Sequence, residues 1–192
     1  MTGYVGLTFD DGPNPDTTEA LLAALAASGA PATLFNIGQH VRDHPALTRA
    51  QLSAGMWVGN HSWTHPHLTT LPPPRIGSEL RRASQALGDT IGAQPQLFRP
   101  PYGDTNPSVR AAAADLGLTE VLWDVDSRDW AGATADEIVA AATRLTDGQV
   151  ILLHDGYTAT IAAIPRILAD LRARDLAPGM VSPATGRAVA PA

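Results

Sequence analysis

Short apolar runs recur along the chain, each followed by a polar cluster and then by a longer stretch with helical spacing. Tyr4-Val5-Gly6-Leu7-Thr8-Phe9 reads as a buried strand that stops at the turn Asp10-Asp11-Gly12-Pro13. Asp16 is placed to cap a helix, with Glu19 three residues on; Leu21, Leu22 and Leu25 form its apolar stripe and Gly29 ends it. Residues 32–37 make a second strand, helical pieces follow to about Ala54, and 56–59 make a short third strand. Pro72-Pro73-Pro74 opens a helix that runs to about Ile91, prolines being tolerated in a first turn. Gln96-Leu97-Phe98 leads into a stiff turn, Arg99-Pro100-Pro101-Tyr102-Gly103, and an alanine-rich helix over 107–116. Residues 120–125 read as one strand ending at Asp126-Ser127-Arg128-Asp129-Trp130. Thr134 caps a helix to about Leu145, with Glu137 completing a capping box. The fully apolar strand 150–153 ends at His154-Asp155-Gly156. A long helix over about 158–174 and a strand within 175–182 close the pattern, and the Pro/Ala/Gly tail 183–192 reads as the start of a linker.

Strands alternating with helices predict parallel βαβ units in one α/β domain over residues 1–182. No period suggests a solenoid. The polar clusters come just after strands, and in a parallel barrel those strand ends share one face, the face that carries chemistry. Asp10/Asp11, His61/His65, Arg99/Tyr102, Asp129 and His154 are therefore expected to meet.

Composition narrows the partners. The 192 residues carry a net charge of −6, with no Lys/Arg run denser than Arg81-Arg82, which excludes a nucleic-acid binder. All thirteen basic residues are Arg, a bias from which no mechanism follows. Hydrophobic residues at 44% and charged residues at 17% fit a globular chain with a sizeable core. No apolar run is long enough to cross a membrane, so no membrane partner is expected. There is no cysteine, hence no disulfide framework and no thiolate chemistry, although a core of this size needs no disulfide for life outside the cell. The chain opens within residues of a strand, so no leader is expected in it.

The chemistry centres on His61-Ser62-Trp63-Thr64-His65. Two histidines four apart lie on one face if the segment is helical, and both imidazoles then reach one point. On spacing alone the pair reads more readily as two surface histidines at a helix start than as a metal site. A carboxylate from the first strand end would complete a two-nitrogen, one-oxygen set with positions open for water, the pattern of a catalytic metal site. Asp10 and Asp11 cannot both supply it, because adjacent residues in extended chain point opposite ways; one binds and the other is free as a base, unless the pair merely caps backbone amides of the turn. His154 reads either as a satisfied core residue or, with Asp129 holding its imidazole, as a general acid. Arg99 either pairs with the free Asp10 and orients it or makes a surface salt bridge of little worth. The Pro100-Pro101 brace would hold the backbone amide of Tyr102 rigid, as an oxyanion donor needs.

Taken in order, Thr8-Phe9-Asp10-Asp11-Gly12-Pro13, His61-Ser62-Trp63-Thr64-His65, Arg99-Pro100-Pro101-Tyr102, Asp126-Ser127-Arg128-Asp129-Trp130 and Leu152-Leu153-His154 resemble the five motifs of the polysaccharide deacetylase (NodB-homology) family, carbohydrate esterase family 4. The likeness covers nearly the whole chain and within the family is nearest to secreted bacterial acetylxylan esterases. It implies a distorted (β/α) barrel of parallel strands with outer helices. It also implies one divalent metal ion, zinc first and cobalt second, and removal of acetyl groups from a polysaccharide. By resemblance Asp10 is the base, Asp11, His61 and His65 are the metal ligands, and Arg99 is the partner of the base. Tyr102 is the oxyanion donor, His154 the acid and Asp129 the residue that tunes it. Trp130 and Leu152 would wall the acetyl methyl, and Trp63 and Pro100 are further expected substrate contacts. An acetylated polysaccharide partner, a monomer and secretion are implied with them.

Three other readings follow from the same residues. The substrate is O-acetyl xylan first, with N-deacetylation of chitin oligomers or peptidoglycan as the alternative. Two histidines and a carboxylate also make the facial triad of non-haem iron oxygenases, but those sit on jelly rolls and this chain alternates strand and helix. A non-catalytic sugar-binding module, holding its ligand through Trp63, Trp130 and Tyr102, would be expected to lack Asp10 or His154, and both are present.

Overall fold

The structure, a computed structural model, describes residues 3–191. Its central strand, β1 (Gly3–Gly12), separates two environments by its period of two. Val5, Leu7 and Phe9 join Leu21, Leu25, Ile164 and Leu168 in the main core, outside the sheet and under helices α1 (Thr18–Ala26) and α7 (Thr158–Ala173). Thr8 and Asp10, on the other face, meet a buried Arg99. The strand β7 (Val150–His154) repeats the division: Ile151 and Leu153 enter the outer core, while Val150 packs with Phe35, Leu97, Val121 and Val181 inside the curl of the sheet. A third cluster, with Ile76, Leu80, Phe98 and Val109, lies under α4 (Pro73–Ile91) and α5 (Pro107–Ala114).

The remaining elements are β2 (Thr33–Asn36), α2 (Gly38–Asp43), α3 (Pro45–Ser53), β3 (Trp57–Asn60), β4 (Leu97–Phe98), β5 (Thr119–Glu120), β6 (Val125–Asp126), α6 (Ala135–Ala142), β8 (Leu176–Val181) and β9 (Ala188–Val189). The strands run in parallel in the order β5-β4-β3-β2-β1-β7-β6, with β8 parallel to the first half of β1. The edge strands β5 and β6 are joined by residues 121–124 alone. Seven flat strands would hold those edges about 29 Å apart at a spacing of ~4.8 Å. Five steps of ~3.5 Å reach only about 18 Å. The sheet must therefore curl until its edges approach, which gives the expected distorted barrel.

Three local expectations are corrected. Residues 120–125 are not one strand: β5 pairs with β4 on one side and β6 with β7 on the other, and the chain between them bridges the open seam. Asp16 does not cap α1. Thr17 holds the N-cap position, and its hydroxyl turns inward to donate to Asp155 (2.9 Å), while Asp16 N–H donates to Asn14 Oδ1. The tail is not the start of a linker as far as residue 191. It folds back so that β9 pairs antiparallel with β8, covering an edge that would otherwise leave its backbone groups unpaired, and Ala188 is buried.

Close approach in that hairpin is checkable. A Cβ at Gly179 would stand 2.2 Å from the Val189 carbonyl oxygen. Gly179→Ala should destabilise the protein by about 1–3 kcal/mol, a fall in Tm of roughly 2–4 °C for each kcal/mol in a domain of this size. An unchanged melting temperature would mean that residues 183–191 are not packed against β8.

Candidate active site

The strands β1, β3, β4 and β7 carry or lead directly into Asp10 and Asp11, His61, Arg99 and His154. Asp10 and His154 are direct partners in the β1–β7 ladder, so the sheet itself sets their spacing. Beyond Asp10 the register slips against β2 and Asp11 takes a left-handed backbone (φ 69). That irregularity lets adjacent carboxylates, which a regular strand would send to opposite faces, serve one mouth. The Asp11 carbonyl accepts a hydrogen bond from His40 Nδ1 (2.9 Å), which fixes the turn.

The histidine segment is not helical, contrary to the expectation from its spacing. It is a loop with Ser62 (φ 62) and His65 (φ 59) both left-handed. Asn60 Oδ1 accepts from Ser62 N–H (2.8 Å) and Ser62 Oγ from His65 N–H (3.1 Å), side chains that mimic a turn. The buried Glu79 carboxylate on α4 accepts from Trp63 N–H, Thr64 N–H and the Thr64 hydroxyl, and the first amides of α2 donate to the Ser62 and Trp63 carbonyls. So anchored, the two imidazoles still reach one point: ring centroids are 4.9 Å apart, and Asp11 Oδ1 lies 3.3 Å from His61 Nε2 and 3.2 Å from His65 Nε2.

The donor set suits a metal ion. His61 Nδ1 donates to the Arg99 carbonyl (2.8 Å), which leaves the lone pair of Nε2 facing Asp11. Burial and the neighbouring His61 push His65 below its ordinary pKa, so its ring is neutral. Burial alone would raise the Asp11 carboxyl, but positive charge at the His61, His65 and His154 positions outweighs it and holds the group at about 2, so this is a place where an ionised carboxylate is matched to cationic charge. Asp11 Oδ1 is buried with no hydrogen-bond partner, an oxygen that asks for a cation. These three ligand atoms lie within 4.8 Å of one another, an open N₂O set of the kind that binds zinc in catalytic sites.

Beside the triad stand two supported titratable groups. Arg99 is fully buried, which excludes the surface salt bridge. Its Nη1 donates to Asp10 Oδ1 (2.8 Å) and Thr8 Oγ1 (2.7 Å), and its remaining donors reach the Val121 and Leu122 carbonyls in the seam. His154 Nδ1 donates to Asp129 Oδ1 (2.7 Å), leaving Nε2 free of that bond. Asp129 is itself fixed, accepting from His154 N–H, Trp130 N–H and the Thr160 hydroxyl. Burial would lower the His154 pKa, but the hydrogen bond to Asp129 and the charges of Asp10, Asp129 and Asp11 raise it on balance. Burial likewise would raise Asp129, yet His154 and Thr160 hold it below the usual carboxylate value.

The triad, Asp10 and His154 open on a cavity of 260 Å³ with apolar walls from Tyr102, Trp123, Trp130 and Leu152. Tyr102 is left-handed (φ 62), and its N–H stays out of the turn in which Gly103 N–H and Asp104 N–H bond the Pro100 and Pro101 carbonyls. Its ring stacks on His67 (4.0 Å, 15°) and meets the edge of His65. Pro100 is buried and shapes that turn without lining the cavity. Trp63 is misplaced in the sequence reading: its ring is buried under Arg82 (4.3 Å) and against α2, away from the cavity, because the Glu79 anchors turn its backbone inward. Sequence reasoning missed Trp123, His67, His40 and Glu79. Only Trp123 had a signal, the left-handed Gly103 that makes room for its ring.

Similarity to known proteins agrees with this geometry. Residues 2–121 match the model of the family described as polysaccharide deacetylase. A family 4 carbohydrate esterase from Streptomyces lividans, solved with acetate, is 56% identical, with a TM-score of 0.97 over 99% of this chain and 98% of that one. The bifunctional xylanase/xylan deacetylase of Cellvibrio japonicus is 49% identical over 99% of this chain, which spans only 29% of that protein's length. A chitooligosaccharide deacetylase of Bradyrhizobium is 42% identical over 81% of this chain and 72% of its own length. Motifs, fold and site together establish that the chain belongs to the polysaccharide deacetylase family, carbohydrate esterase family 4.

Proposed function

We propose that the chain is a metal-dependent hydrolase that removes acetyl groups from a polysaccharide outside the cell, acting as a monomer, with O-acetyl esters of xylan as its first substrate. The observation that carries this is the flanking of the Asp11–His61–His65 triad by a carboxylate tied to Arg99 and an imidazole tied to Asp129, on adjacent strands over one small cavity. Xylan comes first because of the 49% likeness to a xylan deacetylase; the chitooligosaccharide relative supports acetamide cleavage as the second reading.

Asp11, His61 and His65 would hold the ion, zinc first and cobalt second. When bound, such an ion supplies Lewis acidity at the acetyl carbonyl and lowers the pKa of a water there. Asp10, aimed by Arg99, takes a proton from the attacking water. The Tyr102 N–H donates to the oxygen on which charge develops. Leu152 and Trp130 receive the methyl group. His154, protonated through its raised pKa, gives its Nε2 proton to the departing sugar oxygen, or to nitrogen in an acetamide. No side chain needs to become acetylated.

Acetate release by metal-stripped protein, on acetylated xylan and on chitin oligomers with zinc and cobalt restored separately, tests the whole reading. Metal-restored release from xylan is expected to exceed that from chitin oligomers. Release from neither, with metal bound, would turn the reading to peptidoglycan, and failure of release there as well would sink the hydrolase. Asp11→Ala should lose metal and activity together. Asp10→Asn should keep metal, measured by equilibrium dialysis, while kcat falls about 10²–10⁴-fold; equal loss of metal would reverse the two roles. In Asp129→Asn the His154 imidazole loses the carboxylate that raises its pKa. It then deprotonates at lower pH, and the alkaline limb of the kcat/KM profile should move toward acid. An unmoved limb would mean that His154 is not the acid.

A further inference from the structure

Six non-glycine residues among those described have positive φ. Asp175 lies just past α7, where a helix exit takes this shape. Asp11, Ser62, His65 and Tyr102 build the site above. Arg128 (φ 58, ψ 24) is the one left without a part in that chemistry. Strained backbone persists where the surroundings enforce it, and it concentrates at functional positions. Here Arg128 N–H donates to Asp126 Oδ1 (2.7 Å), and its carbonyl accepts from Ala131 and Ala133.

The strain sets the Arg128 guanidinium 5.6 Å from the ring centre of Trp130, a wall of the catalytic cavity. A second concavity, of 490 Å³, shares Asp126 with that cavity and is bounded by Arg128, Gly132, Glu137 and Arg144. This volume is in the range of sites that hold small molecules, about 300–1,000 Å³. Two guanidinium groups face one groove, and among the described residues neither has a carboxylate within 4.0 Å. Arg144 donates only to the Ala141 and Asp126 carbonyls. One oxygen of each carboxylate at the groove is held by local donors: Asp126 Oδ1 receives Arg128 N–H and Trp130 Nε1–H, and Glu137 Oε2 receives the Thr134 amide and hydroxyl.

We propose that this groove is a subsite for a carboxylate borne by a sugar next to the acetylated one, with Arg128 as its principal contact and Arg144 as its second. Planar guanidinium donors match a carboxylate in two-point geometry, and a groove that opens beside Trp130 receives the neighbouring unit of a chain whose acetyl group fills the cavity. This rests on the reading of the cavity as a polysaccharide deacetylase site. The shared chemistry is a ring carboxylate or a lactyl carboxylate, supplied by a hexuronic-acid branch on xylan or by muramic acid in peptidoglycan.

The test is calorimetric binding to the zinc-loaded protein of acetyl-free probes: uronic-acid-substituted xylooligosaccharides, neutral ones of equal length, and muramic-acid-containing oligosaccharides. At least one acidic probe should bind about fivefold or more tighter than the neutral one, with the difference shrinking as salt rises. The acidic probe that shows the preference identifies the source. In Arg128→Gln and Arg144→Gln the acidic-to-neutral ratio should fall toward one, and Arg128→Lys should keep part of it. Three results would each overturn the proposal: no preference for either acidic probe, a preference untouched in both Gln variants, or equal weakening of acidic and neutral probes. Because binding is read without turnover, failure of the deacetylase reading is seen separately, as absence of acetate release from every acetylated polymer.

Discussion

The buried pairing of Arg99 with Asp10 is the constraint on which the rest of the structure depends. A guanidinium with no exposure to solvent must find its partners within the protein, and four of the five Arg99 N–H groups do so inside the curl of the sheet. It reaches Asp10 and Thr8 on the central strand and the Val121 and Leu122 carbonyls on the segment that joins the two edges. The edges are not paired strand to strand there, and the side chain ties the segment that bridges them to the central strand. Breaking a buried ion pair by removing one partner costs about 3–5 kcal/mol, which makes the base inseparable from the closure of the barrel. The Arg99 carbonyl also accepts the His61 Nδ1 proton, so one residue orients the proposed base and a proposed metal ligand together.

The site keeps its histidines in opposite states. His65 sits among other imidazoles and loses its proton readily, whereas His154 sits against Asp129 and keeps it. A ligand needs a lone pair and an acid needs a proton, and the same residue type serves both because the neighbours differ. The dividing line follows the chain: His65, pushed down, comes from the loop after β3, His154, pushed up, from the end of β7, and the two carboxylates of β1 lie between them.

How much of this was legible in the sequence depended on what each feature rests on. Strands with a period of two and helices with clear caps, such as Thr134 with Glu137, were readable because local chemistry decides them. The split of residues 120–125 was not, because it is imposed by the seam and not by side-chain pattern. The tail misread for a similar reason: its Pro/Ala/Gly composition suits a linker, and only the open edge of β8 makes it a strand. At the site, Asp10, Asp11, His61, His65, Arg99, Asp129 and His154 converge as their types and places suggested. The route did not, since His61 and His65 are brought together by Asn60, Ser62 and Glu79 and not by helical spacing. Trp63 shows the limit most clearly: an aromatic inside a functional motif reads as a ligand contact, yet here it is a structural plug between the loop and α2.

The ladder partnership of Asp10 with His154 has an evolutionary consequence. The Asp155 amide bonds the Asp10 carbonyl (2.9 Å), so the spacing of base and acid is a property of the sheet, the least deformable part of the protein. Apart from Leu152 on β7, the walls that a sugar chain would touch are carried on turns: Tyr102 on one, Trp130 and Arg128 on another. Turns tolerate substitution and changes of length far better than paired strands do. A lineage can therefore exchange one polymer for another by rebuilding its turns while the reacting groups stay in register, and a single catalytic frame can spread across xylan, chitin and cell-wall substrates without being tuned again.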